Sequence, residues 1–154
     1  MSLNEDIRQE RFESDHHQAV VNILFTSRWL YNLQAHHLKA YGITPEQFNV
    51  LRILRGSHPR AMKLADITCR MIDKSSNATR LVDKLRQKRM VSQKICPANR
   101  RQLDIHITAE GLRTLKAIDK SMAPWSAVMG GISDREARAL SRILDKIRSK
   151  RPGR

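Results

Sequence analysis

The chain has 154 residues, 40% hydrophobic and 5% aromatic, enough for one aliphatic core without help from a metal or a disulfide framework. Its 29 Lys and Arg against 15 Asp and Glu leave a net charge of +14, which opposes compaction and points to a polyanionic partner. Cys69 and Cys96 lack Cys-x-x-Cys or Cys/His spacing, which argues against zinc and suits a reducing, cytoplasmic setting; the apolar run Val20–Phe25 is broken by Asn22 and far too short for a membrane span.

The first dozen residues carry Glu5, Asp6, Arg8 and Glu10 and no apolar stretch, so they do not read as a signal peptide. From about Asp15 to Ala40 a long helix is predicted. Val20, Ile23, Leu24, Phe25, Leu30 and Leu33 follow helical spacing, and Val21, Trp29 and Tyr31 widen the apolar surface until burial on more than one side is expected. Gly42 supplies its stop. Thr44-Pro45-Glu46-Gln47 then reads as a capping box with proline at the first helical position, opening a helix through Phe48, Leu51 and Leu54 that ends at Gly56-Ser57-His58-Pro59. A short helix from Lys63 to Arg70 carries Leu64, Ala65 and Ile67.

Asp73 is the expected cap of a helix from Lys74 to about Lys88, whose Ala78, Leu81, Val82 and Leu85 fall in a narrow arc. The opposite arc holds Ser76, Thr79, Arg80, Asp83 and Gln87. A merely solvated face is usually rich in Glu and Lys, whereas short hydroxyls, an amide and arginine are groups that dock against phosphates and base edges. After Met90 the period becomes two. Val91, Gln93 and Ile95, then Leu103, Ile105 and Ile107, form a hairpin around the polar tip Pro97–Gln102. Thr108 caps a helix through Leu112, Leu115, Ile118 and Met122 towards Met129, Gly130-Gly131 breaks it, and Ser133–Glu136 is a second capping box before Leu140, Leu144 and Ile147.

The charge is not spread evenly. Between Arg70 and Arg101 ten basic residues face two acidic ones, so more than half of the net charge sits on the polar helix and the hairpin. That is the pattern expected when a helix enters a major groove and a hairpin tip reaches the backbone or minor groove.

The order of elements resembles the multiple antibiotic resistance regulator (MarR) family. Thr79–Leu85 looks like that family's recognition helix, Asn99-Arg100-Arg101 with Leu103–Thr108 and Gly111 like its wing and the helix after it, and Leu64-Ala65 like the helix before the turn. The resemblance implies a mainly α fold with a small β-hairpin wing: a winged helix-turn-helix over 44–108, within a single 1–154 chain whose helices in 1–43 and 109–150 form the dimerisation region. It implies a homodimer that reads a pseudo-palindromic double-stranded DNA operator, usually as a repressor released by a small aromatic or anionic effector, with no cofactor. Carried over by position, the DNA-binding set is Lys63, Lys74, Ser75, Ser76, Asn77, Thr79, Arg80, Lys84, Arg100 and Arg101. Ser75–Arg80 would meet the major groove and Arg101 the minor groove. Trp29, Tyr31 and Trp125 are candidates for an effector pocket, and Trp125, Leu140, Leu144 and Ile147 for the dimer contact.

Two positions depart from the family pattern. Asn99 stands where the family usually has the aspartate that braces the wing arginine, and an amide accepts a weaker hydrogen bond than a carboxylate. Arg89 stands where a glycine is usual, which costs about 1 kcal/mol if the backbone there is left-handed. Asp83, on the polar arc, is expected to pair with Arg80 or Arg86.

Other readings of the same residues meet obstacles. His16-His17 and His36-His37 point about 100° apart within each pair and lie roughly 28 Å from one another along a helix, so a metal sensor would need them to meet across a dimer. Cys69 and Cys96 would serve a redox-responsive regulator, though Cys69 reads more naturally as core. An enzyme lacks any recognisable constellation: no glycine-rich phosphate loop, no nucleophile elbow and no paired histidines on one helix face. An architectural or RNA-binding module keeps the basic face but lacks aromatic stacking platforms, and a protein scaffold would need an acidic partner.

Overall fold

The computed structural model describes residues 3–9, 11–96, 99–122 and 125–149. Its elements run α1 (Leu3–Ile7), α2 (Asp15–Lys39), α3 (Pro45–Ser57), α4 (Leu64–Arg70), α5 (Ala78–Gln87), β1 (Val91–Cys96), β2 (Asn99–Ile107), α6 (Ala109–Ser121), α7 (Trp125–Val128) and α8 (Asp134–Ser149). From α2 to β2 this is the expected order, in a mainly α chain with one hairpin; α1 is not among the expected elements. Two compact units divide it, one through Lys120 and one from Ser121.

In the first unit α3 is the hub, touching α2, α4, α5 and β2. Its start is set by sequence alone. The Thr44 hydroxyl accepts from the Gln47 N–H at 3.3 Å, the Thr44 N–H donates to the Gln47 amide oxygen at 3.2 Å, and Pro45 stands where no amide hydrogen is needed. Val50, Leu51 and Leu54 of α3 then meet Ile67 of α4, Val82 and Leu85 of α5 and Ile105 of β2, each no more than 1% exposed.

The hairpin is antiparallel, Val91 opposite Ile107, Gln93 opposite Ile105 and Ile95 opposite Leu103, with a shift between Ile95 and Cys96. Met62, between α3 and α4, adds a third rung by exchanging backbone hydrogen bonds of 3.0 and 2.9 Å with Ile105. Along one face of this sheet burial fades outward. Val91, Ile105 and Ile107 are core, whereas Ile95 and Leu103 are 63% and 45% exposed. The hairpin therefore leaves the body of the unit, as a wing does.

Three expectations are corrected. Within α2 only Leu38 is buried, and Val20, Leu24 and Trp29 stay open; among the described residues of the first unit, no second helical layer covers this helix. The helix after the wing ends at Ser121 instead of running to Met129, ahead of Pro124, whose ring disfavours helical backbone in the residue before it. The polar helix begins at Ala78, not Lys74, because Asp73 spends its oxygens on the turn before it. The second unit holds α7 and α8. Ser133 and Glu136 form the expected box there: the carboxylate accepts from the Ser133 N–H and hydroxyl, each at 2.7 Å.

Candidate nucleic-acid interface

The segment between α4 and α5 is held by short side-chain bonds. The Asp73 carboxylate accepts from the Ser75 N–H at 2.9 Å and from the hydroxyls of Ser75 and Ser76 at 2.7 Å each. Those two hydroxyls, then the Ser75 amide, keep the Asp73 carboxyl below the ordinary aspartate range, so the clasp is complete at neutral pH and is lost only as pH falls through that lowered value. With both oxygens engaged there, Asp73 cannot cap the helix. Asn77 does so, its amide oxygen accepting from the Arg80 N–H at 3.0 Å.

This geometry changes what the polar residues can offer. A hydroxyl whose one proton goes to Asp73 presents only lone pairs outward, so Ser75 and Ser76 are acceptors suited to exocyclic base amines and not donors to phosphate. The cap uses the oxygen of Asn77 and leaves its NH₂ as a donor with no partner among the described residues. Lys74 is exposed, but its ammonium is already engaged. Its ammonium donates to the carbonyls of Thr68 and Cys69 at the end of α4, where unpaired carbonyls of a helix terminus favour a cation.

On α5, Ala78, Val82 and Leu85 are buried, and Thr79, Arg80, Lys84 and Gln87 are exposed on the other side. Asp83 pairs with Arg86, as expected, but loosely at 3.7 Å and in the open. Lys63 is exposed at the N-cap of α4 and makes no capping bond. Arg100 and Arg101 fall within β2, and their side chains, like those of Asn99 and Cys96, lie outside the described residues. Cys69, read as core, is exposed. Ile67, the residue α4 buries, is two positions away and so faces roughly the other side of the helix.

The exit from α5 to the wing is the most constrained backbone here. Arg89 has φ +59°, the left-handed conformation its non-glycine identity had put in question. Its N–H donates to the Arg86 carbonyl at 2.8 Å, and the Met90 N–H donates to Leu85 at 2.9 Å, the paired bonds that close a helix with a left-handed residue. The start of α6 grips the same turn. The Thr108 hydroxyl donates to the Arg89 carbonyl at 2.7 Å while accepting from the Gly111 N–H at 3.1 Å. A side chain at Gly111 would collide with the Met90 carbonyl oxygen, so only glycine lets α6 approach this closely. Thr108 and Gly111 were legible as a resemblance; the structure supplies their physical reason.

Trp29 and Tyr31 line different cavities. Trp29 lines a groove with Phe25, Asn22 and Leu3 of α1, and Tyr31 lines a separate one with residues of α3 and the α4–α5 turn; two positions on a helix differ by about 200°. The Trp125 side chain lies outside the described residues. The Tyr31 cavity, about 130 Å³, is walled by Phe48, Arg52, Met71 and Ile72. At its mouth the Tyr31 hydroxyl donates to Glu46 at 2.8 Å. That bond, and then burial, raise the Tyr31 pKa. For Glu46 burial pushes upward, and hydrogen bonds from the Thr44 hydroxyl, its own backbone and Tyr31 outweigh it, leaving the carboxyl lowered. Asn49, on the same wall, accepts from the Ile72 N–H at 3.0 Å and ties the turn to α3. Sequence reading missed Glu46, Asn49 and Arg52 because each sits on a helix already explained by its core stripe.

The comparisons with known proteins agree with this architecture. The model for the MarR family matches residues 43–103. The HTH-type transcriptional regulator MhqR of Bacillus subtilis (strain 168) is 28% identical over 114 residues, covering 72% of this chain and 76% of that protein. Among solved structures, a cysteine-to-serine mutant of MarR from E. coli complexed with operator DNA is 17% identical with a TM-score of 0.72, covering 96% of this chain and 99% of that one. The organohalide-sensing regulator RdhR-CbdbA1625, in its 2,4-dichlorophenol-bound form, is 17% identical with a TM-score of 0.77, covering 92% and 86%.

Proposed function

We propose that the chain is a MarR-family regulator, a homodimer which reads double-stranded DNA and is released by a small aromatic effector, a reading supported by the family match over residues 43–103 and the similarity to MhqR. The observation that carries the reading is the face of α5: Thr79, Arg80 and Lys84 exposed on a helix whose other side is core, beside a hairpin that leaves the unit. Lys63, Ser75, Ser76 and Asn77 join that face by position, and Arg100 and Arg101 by their place on the wing. Lys74 drops out. Binding, not catalysis, is what such a surface does, and a reader of chromosomal DNA works in the cytoplasm. Among the described residues no helix is long and apolar enough to cross a membrane.

The exposed stripe of α8, with Leu140 and Ile147 41% and 55% open, and the open face of α2 supply apolar area for a second copy. Doubling the reading unit by two-fold symmetry sets a pseudo-palindromic site. The effector reading rests on the Tyr31 cavity. Its 130 Å³ is close to the ~150 Å³ that holds a benzene ring, and its rim offers the Arg52 guanidinium and the Tyr31 hydroxyl to a ring substituent. Because Met71 and Ile72 form one wall, an occupant bears on the turn that presents α5. The operator-bound and dichlorophenol-bound states of the two structural neighbours are the precedents for each half of this reading.

A salt titration of duplex binding is the test. Neutralising about eight phosphates gives a slope of log K against log[salt] near −7. A flat response, or equal affinity for single-stranded RNA, overturns the duplex reading. Arg101→Ala should weaken duplex binding with little loss of fold stability. Titrating 2,4-dichlorophenol into the complex should release the duplex, and Tyr31→Ala should blunt that release without changing affinity in its absence.

A further inference from the structure

Lys88 lies in the most basic stretch of the chain and would be counted among the cations that meet phosphate. The structure sends its head group elsewhere. Although the residue is exposed, its ammonium donates to the Gly42 carbonyl, at the corner between α2 and α3, and to the Gln47 amide oxygen at 3.2 Å. Gln47 is 2% exposed, and that same oxygen closes the capping box of α3 by accepting from the Thr44 N–H. Gly42 itself holds φ +64°, so the corner it forms is a fixed one. Lys88 is the C-cap of α5 and immediately precedes the left-handed Arg89. One ammonium thus joins the end of the polar helix to the start of the hub helix, two elements far apart in sequence.

We propose that Lys88 is a positioning residue for DNA reading: its charge fixes the tilt of α5 against α3 and makes no contact with phosphate. This rests on the duplex-reading function proposed above. A hydrogen bond from a charged group to a buried acceptor is worth more than one between neutral groups, and losing it leaves the Gln47 oxygen with one partner fewer in a dry setting. The helix remains packed through the buried Val82 and Leu85, so its fold survives while its angle loosens. Base contacts depend on that angle. Phosphate contacts, made by long flexible side chains, depend on it far less.

The experiment uses the full chain, a duplex enriched by the wild-type protein from a random pool, and a scrambled duplex of equal length. Lys88→Met should lose about tenfold in affinity for the enriched duplex, keep its affinity for the scrambled one, and leave the salt slope unchanged; Lys88→Arg should restore most of the loss. Equal losses on both duplexes with a slope shallower by about 0.9 would make Lys88 a phosphate contact and overturn the proposal. So would a lower Tm with undiminished affinity at 25 °C, which describes a purely structural role. Should Lys88→Met not fold, Lys88→Gln, a neutral side chain on a shorter stem, is read in the same way. A wild-type chain that enriches no duplex defeats the function itself, an outcome distinct from either of these.

Discussion

Helices α5 and α8 are built on the same plan and meet opposite fates. Each sets an apolar stripe at three- and four-residue spacing against a strongly charged face, and each opens on a side-chain cap, Asn77 in one and Ser133 in the other. In α5 the stripe is core, with Val82 and Leu85 wholly buried against α3, α4 and β1. In α8 no described residue is buried, and Leu140, Ile143 and Ile147 remain about half exposed. Periodicity therefore says that a helix has a face to hide and is silent about who hides it. For α5 the partner is the same chain; for α8 our reading makes it a second copy.

The largest expected effect tests that division directly. Leu85→Ala should cost about 3 kcal/mol in denaturant unfolding, the loss of a filled core position. Leu140→Ala should stay within about 0.5 kcal/mol when the single chain is unfolded at high dilution. Leu140→Glu should instead abolish assembly in sedimentation, since two-fold symmetry would place the buried charge at the interface twice. A Leu140→Glu chain that remains dimeric would break the comparison and move the interface elsewhere, the open face of α2 being the next place to look.

The two caps sharpen it at a smaller scale. Asn77→Ala and Ser133→Ala should each cost about 1 kcal/mol. Aspartate at Asn77 keeps the capping oxygen and so keeps stability, whereas at Ser133 it replaces the hydroxyl's bond to Glu136 with a like-charge contact and recovers less; the added charges also differ in consequence for the duplex. At Asn77 it faces the proposed DNA surface and should weaken duplex binding severalfold, with the loss shrinking as salt is raised. At Ser133 it should leave affinity unchanged. Equal effects at both sites would mean that α5 has no special relation to the nucleic acid.

Most of the fold was legible because its signals are local. Thr44-Pro45-Glu46-Gln47 names a helix start through bonds that span three residues, and the shift from helical spacing to alternation after Met90 names the hairpin. What the sequence concealed was competition between equally good local partners. Asp73 and Asn77 are both competent caps. Which one wins depends on Ser75 and Ser76 drawing the Asp73 oxygens away, a contest propensity cannot judge. The cationic residues conceal more. Lys74, Lys84 and Lys88 are identical letters in one basic stretch, yet one caps α4, one stands outward and one reaches the α2–α3 corner. Charge counted along the chain overstates charge presented to a partner. The Tyr31 cavity was half legible: the tyrosine was named, but Glu46 and Asn49 join it only through the packing of α2 on α3.

The smallest expected effect concerns Arg89, at the exit of α5. A left-handed non-glycine residue is strained by about 1–2 kcal/mol, and Arg89, at φ +59°, carries that strain at a position where Thr108 and the paired terminal bonds hold the turn closed. Glycine there removes the strain but widens the conformational freedom of the unfolded chain, which returns roughly 0.5–1 kcal/mol of the gain. Arg89→Gly should thus stabilise the fold by about 0.5 kcal/mol, read as a higher urea midpoint at unchanged slope. Its duplex affinity then separates two explanations for an arginine at a glycine's post. If the guanidinium reaches phosphate, the more stable variant binds more weakly and its salt slope is shallower by about 0.9. If affinity and slope stay fixed, the buried stripe of α5 simply tolerates a strained exit.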